Sequence, residues 1–159
     1  MKSPLQRVVL NEWIFHDLLG ENGTVTQRTA AETLVALIEQ PFCLSFMESS
    51  PWAAKAYGIM TSGDPLVRKL SRLLHTRLLL DPSKCVRVDR TDELPDRREV
   101  VDRAPRKDRY LVITYLLSGS QELVTADQPL ITAYEGRREL RVTHRVDFAW
   151  RLAGLERRP

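Results

Sequence analysis

Polar residues that could carry chemistry stand directly after two strand-like runs of the sequence. Asn11 and Glu12 follow the run at 5–10, and Asp127 comes shortly after the run at 122–125. In a parallel α/β sheet, ligands bind beyond the carboxyl ends of the strands, so side chains at such positions meet at one place. Their amide and carboxylate oxygens are available to a ligand. The spacing therefore predicts one acidic site, built from both ends of the chain.

Other common catalytic arrangements are not indicated. His16, His75 and His144 show no metal-ligand spacing and have no neighbouring nucleophile. Cys43 and Cys85 are far apart and form neither a CxxC nor a Cys/His pattern, so no disulfide framework or zinc site is implied. No glycine-rich phosphate loop occurs among the 7 glycines. Ser/His/Asp hydrolases, thiol hydrolases and nucleotide-binding loops are therefore unsupported.

The strands and helices that must position this site alternate along the chain. Helical apolar spacing occurs at 13–18, 31–38, 51–60, 65–79, 108–117 and 146–152, and strand-like runs lie at 5–10, 42–46, 84–88, 122–125 and 140–143. The segment 90–109 has mixed charge and predicts a surface loop or short helix without core residues. This order predicts an α/β fold: three α/β/α layers around a mainly parallel sheet, in a single domain over 1–159.

Composition places few limits on partners. The 159 residues are 43% hydrophobic and 28% charged, as in ordinary globular domains. No apolar run approaches the ~18 residues that cross a bilayer, and the first residues resemble neither a signal peptide nor an anchor, so no membrane association and a cytoplasmic location are expected. A net charge of +3, from 24 basic and 21 acidic residues, permits a nucleic-acid partner without requiring one.

Three segments resemble the PIN-domain (PilT N-terminus-like) nuclease family. The most specific is DRYLVITYLLSGSQELVTADQPLI, where Asp108 opens an apolar helix and a Gly/Ser turn leads to a strand ending in Val-Thr-x-Asp. VVLNEWIFHDLL resembles the family's first strand and helix, and LRVTHRVDFAWRL its last strand and helix. Together these segments extend the resemblance over nearly the whole chain and imply a PIN-like fold.

For that family the resemblance implies metal-dependent hydrolysis of RNA, in some members as a toxin beside an antitoxin protein. Asp108 and Asp127 match the family's acidic residues and would be ligands of Mg²⁺ or Mn²⁺, which prefer oxygen atoms. Thr125 could bond a ligand carboxylate or the substrate phosphate, although packing explains a strand threonine equally well. Arg109, beside Asp108, is a further candidate for substrate binding.

The acidic set departs from the family's pattern at two positions. Asn11 stands where the first strand normally ends in aspartate; it could offer a neutral oxygen, with Glu12 as a substitute ligand, or it could simply cap the following helix. Lys55 appears at the aligned position of a family glutamate. A lysine cannot ligate magnesium, but it could pair with Asp108 or Asp127, contact phosphate, or remain solvated.

Two further hypotheses stay open. One is a catalytically inactive PIN-like module that binds RNA or a protein partner, with Arg68, Lys69 and Arg72 on a basic helix face that a solvated surface would also explain. The other is a protein-interaction domain or homodimer formed through tryptophans, for which burial in the core is the commoner fate. The three tryptophans are Trp13, Trp52 and Trp150.

Overall fold

A five-stranded parallel sheet lies at the centre of the chain. A computed structural model describes residues 4–89 and 94–154, and the strands within these ranges are β1 (Gln6–Leu10), β2 (Phe42–Met47), β3 (Cys85–Val88), β4 (Glu122–Thr125) and β5 (Val142–His144). The spatial order is β3-β2-β1-β4-β5, and every neighbouring pair is parallel. The predicted α/β fold with a parallel sheet is confirmed.

Helices connect successive strands. In the described ranges they are α1 (Trp13–Leu18), α2 (Thr24–Glu39), α3 (Pro51–Gly58), α4 (Pro65–Leu74), α5 (Arg98–Asp102), α6 (Arg109–Ser118), α7 (Gln128–Tyr134) and α8 (Arg145–Leu152). One π-helical segment, His75–Leu79, continues α4 toward β3. None of the described helices is long and apolar enough to cross a membrane.

Two apolar cores cover the two faces of the sheet. Val8 and Leu10 point into the larger core, which α1, α2, α3, α4 and α8 cover. Val9 points into the smaller core, formed with α5, α6 and α7. Successive side chains of a strand point to opposite faces, so a central strand that is apolar throughout must be covered on both sides. The predicted three-layer arrangement follows.

Local signals in the sequence account for several helix ends. Ser50 caps α3 through its hydroxyl, which accepts a hydrogen bond from Ala53 N, and Pro51 follows in the first turn. Asp64 caps α4 through its carboxylate, which accepts hydrogen bonds from the backbone N–H groups of Leu66 and Val67. Gly119 ends α6 at φ 63°, a left-handed conformation that glycine adopts without steric cost.

Some predictions about individual segments were wrong. The segment 90–109 was expected to carry no core, but Val101 and Ala104 are buried in the smaller core. Residues 90–93 of that segment lie outside the described ranges. Helix α7 was not predicted, because its seven residues are too few for a clear helical period. Met60 and Leu66, which lie in the segments of helical apolar spacing at 51–60 and 65–79, are about half exposed.

Most of the predicted packing of single residues is confirmed. Cys43, in β2, is buried. Trp13 and Trp52 also lie in the larger core, so neither is available to a dimer interface. Trp150 has 45% of its surface exposed. Of the three tryptophans proposed for an interface, two therefore serve the fold instead.

Candidate functional site

The strand order locates the candidate site. It reverses at β1, which lies between β2 and β4, and a crevice for ligands forms beyond the carboxyl ends of strands at such a switch point. Asn11 follows β1, and its backbone N–H donates to the carbonyl of Val124 in β4, 2.9 Å away. Asp127 follows β4. The two ends of the chain therefore meet as predicted.

A pair of aspartates forms the centre of this site. The carboxyl groups of Asp108 and Asp127 are close enough for Asp127 to raise the pKa of Asp108. Asp108 ends a 3₁₀ turn just before α6 and has 2% of its surface exposed. One oxygen of each carboxyl group, Oδ2, is buried without a hydrogen-bond partner. The ammonium of Lys107 lies 3.3 Å from Asp127 Oδ2, which is ion-pair distance without hydrogen-bond geometry.

This arrangement makes ionisation of Asp108 unfavourable. The pKa of its carboxyl group is raised from 3.8 to about 6, first by burial and then by the neighbouring Asp127, and the positive charge of Lys107 opposes both effects. A buried charge needs a compensating charge or hydrogen bonds, and this pair has one largely exposed lysine. The pair therefore favours binding of either a proton or a cation.

Asn11 and Thr125 hold the crevice together. Asn11 Nδ2 donates to Thr125 Oγ1 over 2.9 Å, and Asn11 Oδ1 accepts from the backbone N–H of Glu12 over 2.6 Å. Thr125 is fully buried, and its hydroxyl also accepts from the backbone N–H of Asp127. Thr125 thus positions the Asp127 backbone. The predicted helix cap at Asn11 is wrong, since Glu12 occupies the N-cap position of α1.

Lys55 lies beside the site, and its partners are Glu12 and His16 rather than the aspartates, which were one of the alternatives from the sequence. Its ammonium is 3.1 Å from Glu12 Oε1 and 3.0 Å from His16 Nε2. The other ring nitrogen of His16 lies 2.5 Å from Glu21 Oε2. Glu21, His16, Lys55 and Glu12 therefore form a continuous polar chain along α1 and α3, which we call the Lys55 relay.

Arg109, the third candidate for substrate binding, contacts α5. Its guanidinium donates to the carbonyls of Ala104 and Asp102 and lies 3.4 Å from the Asp102 carboxylate. These contacts hold α5 against the start of α6. The structure consequently brings together Asp108, Asp127 and Lys107 at one point, with Glu12 and Lys55 beside them.

Sequence reasoning missed three residues of this site. His16 stands four residues after Glu12, a spacing that places both on one face of a helix and could have revealed it. No sequence pattern indicates Lys107, because only the turn before α6 brings it to Asp127. Tyr110 has a buried hydroxyl without a hydrogen-bond partner, and burial, then the charge of Glu12, raise its pKa. Its place beside Glu12 depends on helix packing alone.

Replacing Asp108 by asparagine is expected to stabilise the metal-free protein. The raised pKa means that the folded chain binds this proton more tightly than the unfolded chain does, so stability falls as pH rises from about 4 to about 6. Between the ordinary value of 3.8 and a pKa of about 6, the loss amounts to roughly 3 kcal/mol. Asp108→Asn removes the ionisable group and, with it, this loss of stability. Urea unfolding in EDTA at pH 7.5 should show the variant as more stable, and the difference should shrink toward pH 4.

The control is Asp147→Asn, which neutralises an exposed carboxylate on α8. Surface substitutions of this kind usually change stability by less than about 0.5 kcal/mol, and the change should not follow the same pH window. An Asp108→Asn variant that is no more stable than the wild type at pH 7.5 would show that the carboxylate is not strained.

No family model, curated protein or solved structure matches the chain.

Proposed function

We propose that this chain is a PIN-like endoribonuclease that depends on Mg²⁺ or Mn²⁺, with Asp108 and Asp127 as the metal ligands. The observation that carries the proposal is that each of these two neighbouring aspartates has a buried carboxyl oxygen that lacks a hydrogen-bond partner. They lie at the switch point of a parallel sheet, where ligands bind.

The donor set suits a hard divalent cation with few protein ligands. Within residues 4–89 and 94–154, no group of three or more His, Cys, Asp and Glu side chains is arranged to hold a metal ion. Magnesium usually keeps several waters and binds one or two carboxylates together with substrate phosphates. Asp108 and Asp127 meet that requirement, since one oxygen of each is buried without a hydrogen-bond partner.

Bound there, the cation would activate water and neutralise charge on the scissile phosphate. The protein's own part is to fix Asp127 through Thr125 and to exclude water from Asp108 by burial. Lys107 is the nearest cation to Asp127 and is largely exposed. Because its ammonium can move toward solvent, Lys107 would leave Asp127 when the metal binds and would contact the phosphate instead.

Calorimetric titration with Mn²⁺ tests the proposal without requiring the correct RNA. The wild type should bind Mn²⁺, and Asp108→Asn/Asp127→Asn should bind it at least about 100-fold more weakly, because both charged ligands are lost. Asp147→Asn, again the control, should bind as the wild type does. Equal binding by the wild type and the double variant, or no binding at millimolar Mn²⁺, would refute the assignment.

A non-catalytic RNA-binding module is the second candidate, and the exposed basic face of α4 and its π-helical extension favours it. Arg68, Lys69, Arg72 and Arg77 are all exposed on this surface. Such a module would bind RNA with an affinity that falls as salt rises and that EDTA leaves unchanged. A requirement for metal in RNA binding would count against it.

A further inference from the structure

The basic residues of α4 lack the acidic neighbours that exposed arginines have elsewhere. In α2 and α5, an arginine pairs with a carboxylate one turn away. By contrast, no residue that the structure describes forms an ion pair with Arg68, Lys69 or Arg72. Between positions 49 and 80 the sequence has one carboxylate, Asp64, and it caps α4. Arg68 and Arg72, four residues apart, repel each other without compensation, so this face favours an anionic partner.

An exposed aromatic ring belongs to the neighbouring helix. Tyr57, near the end of α3, is 51% exposed. Its ring packs against that of His75, with the ring centroids 5.4 Å apart and the planes tilted by 33°. His75 is itself buried, and its Nε2 donates to the carbonyl of Ala56 over 2.8 Å. These contacts hold the Tyr57 ring in place and leave about half of the residue open to a ligand.

The ring and the basic residues border the same flank of α4. Near the start of the helix, Arg68 Nη1 donates to the carbonyl of Ser62 over 3.2 Å. The contact between Tyr57 and His75 lies at the other end of the helix. The connection from α3 therefore runs back alongside α4, and Arg72, one turn after Arg68, lies between the two contacts. We call Tyr57 and these two arginines the α4–Tyr57 surface.

We propose that the α4–Tyr57 surface binds single-stranded RNA, with phosphates on Arg68 and Arg72 and one base stacked on Tyr57. Proteins that bind single strands combine basic side chains along the backbone with aromatic rings on which bases stack. In a duplex the bases are already paired and stacked on each other, so the ring selects unpaired RNA. The inference rests on the proposed function in taking RNA as the ligand, and it requires no metal.

Fluorescence anisotropy of labelled oligouridylate, titrated with protein in EDTA, tests the stacking contact. Tyr57→Leu should weaken binding about tenfold or more, because one stacked base contributes that much to affinity. Leucine keeps an apolar side chain against His75, so the fold should survive. Tyr57→Phe keeps the ring and should bind as the wild type does. Unlabelled duplex RNA should compete poorly with the single strand.

The same titration at several salt concentrations tests the phosphate contacts. Each contact with a single strand adds about 0.7 to the slope of log affinity against log salt, so Arg68→Gln/Arg72→Gln should reduce the slope by about 1.4. The matched control is Arg28→Gln/Arg98→Gln, which removes the same charge from exposed arginines of α2 and α5. It should leave the slope unchanged.

The outcomes separate this inference from the proposed metal site. If the wild type binds no Mn²⁺ but binds RNA in EDTA through Tyr57, the metal assignment fails and the inference stands. Equal binding by Tyr57→Leu, equal competition by duplex RNA, or no RNA binding at low salt would overturn the inference. Poly-L-glutamate that displaces the RNA as well as unlabelled oligouridylate does would also overturn it, because the surface would then suit an acidic protein.

Discussion

Asp127→Asn is expected to reduce metal-dependent RNA cleavage by about 10³-fold, because a divalent cation contributes several kcal/mol to such a reaction and each 1.36 kcal/mol changes a rate tenfold. Asparagine has nearly the shape of aspartate and can keep the backbone contact with Thr125, so the fold should survive. It loses the charge that holds the cation. Cleavage of labelled RNA pools, with Mn²⁺ and with EDTA, measures the effect.

Two controls accompany this experiment. Asp147→Asn removes an exposed carboxylate of α8 and should cleave at the wild-type rate. Wild-type protein in EDTA should be as inactive as Asp127→Asn. Unchanged cleavage by Asp127→Asn would show that the activity comes from elsewhere, and RNA binding without metal-dependent cleavage in the wild type would favour the non-catalytic module.

Glu122→Ala is expected to cost about 3 kcal/mol of stability or more, as is typical when one partner of a buried ion pair is removed. Glu122 is completely buried, at the start of β4, yet charged. Arg151 of α8 forms a two-pronged ion pair with it, and Thr143 donates to Glu122 Oε2 over 2.5 Å. Without the carboxylate, Arg151 and Thr143 lose their buried partner, and α8 is held to the sheet by the packing of Phe148 without this ion pair.

Urea unfolding of the variants measures this loss through the shift of the midpoint at constant slope. Glu32→Ala is a suitable control, because Glu32 forms an exposed pair with Arg28 within α2, which contributes less than about 1 kcal/mol. Glu122 lies at the amino end of β4, whereas Asp127 follows its carboxyl end, so Mn²⁺ affinity of folded Glu122→Ala should be unaffected. A loss as small as that of Glu32→Ala would show that the pair does not secure α8.

Strongly apolar segments were predictable from the sequence. The strand at Gln6–Leu10 follows from a short β-prone run, and helix α6 follows from its apolar residues and from Gly119 at its end. The approach of Asn11 to the Asp127 loop was also predictable, because parallel strands place their carboxyl ends at the same edge. Short elements such as α7 were not, since their periodicity spans too few residues.

The sequence by itself determined the alternation of strands and helices, and with it the edge of the sheet where the acidic residues meet. Only the tertiary structure decided which charges contact each other there: Lys107 with Asp127, and Lys55 with Glu12 rather than with the aspartates. Secondary structure depends on local periodicity, which one stretch of sequence contains. The partner of a long lysine side chain depends on how α1 and α3 pack, and no local pattern specifies that.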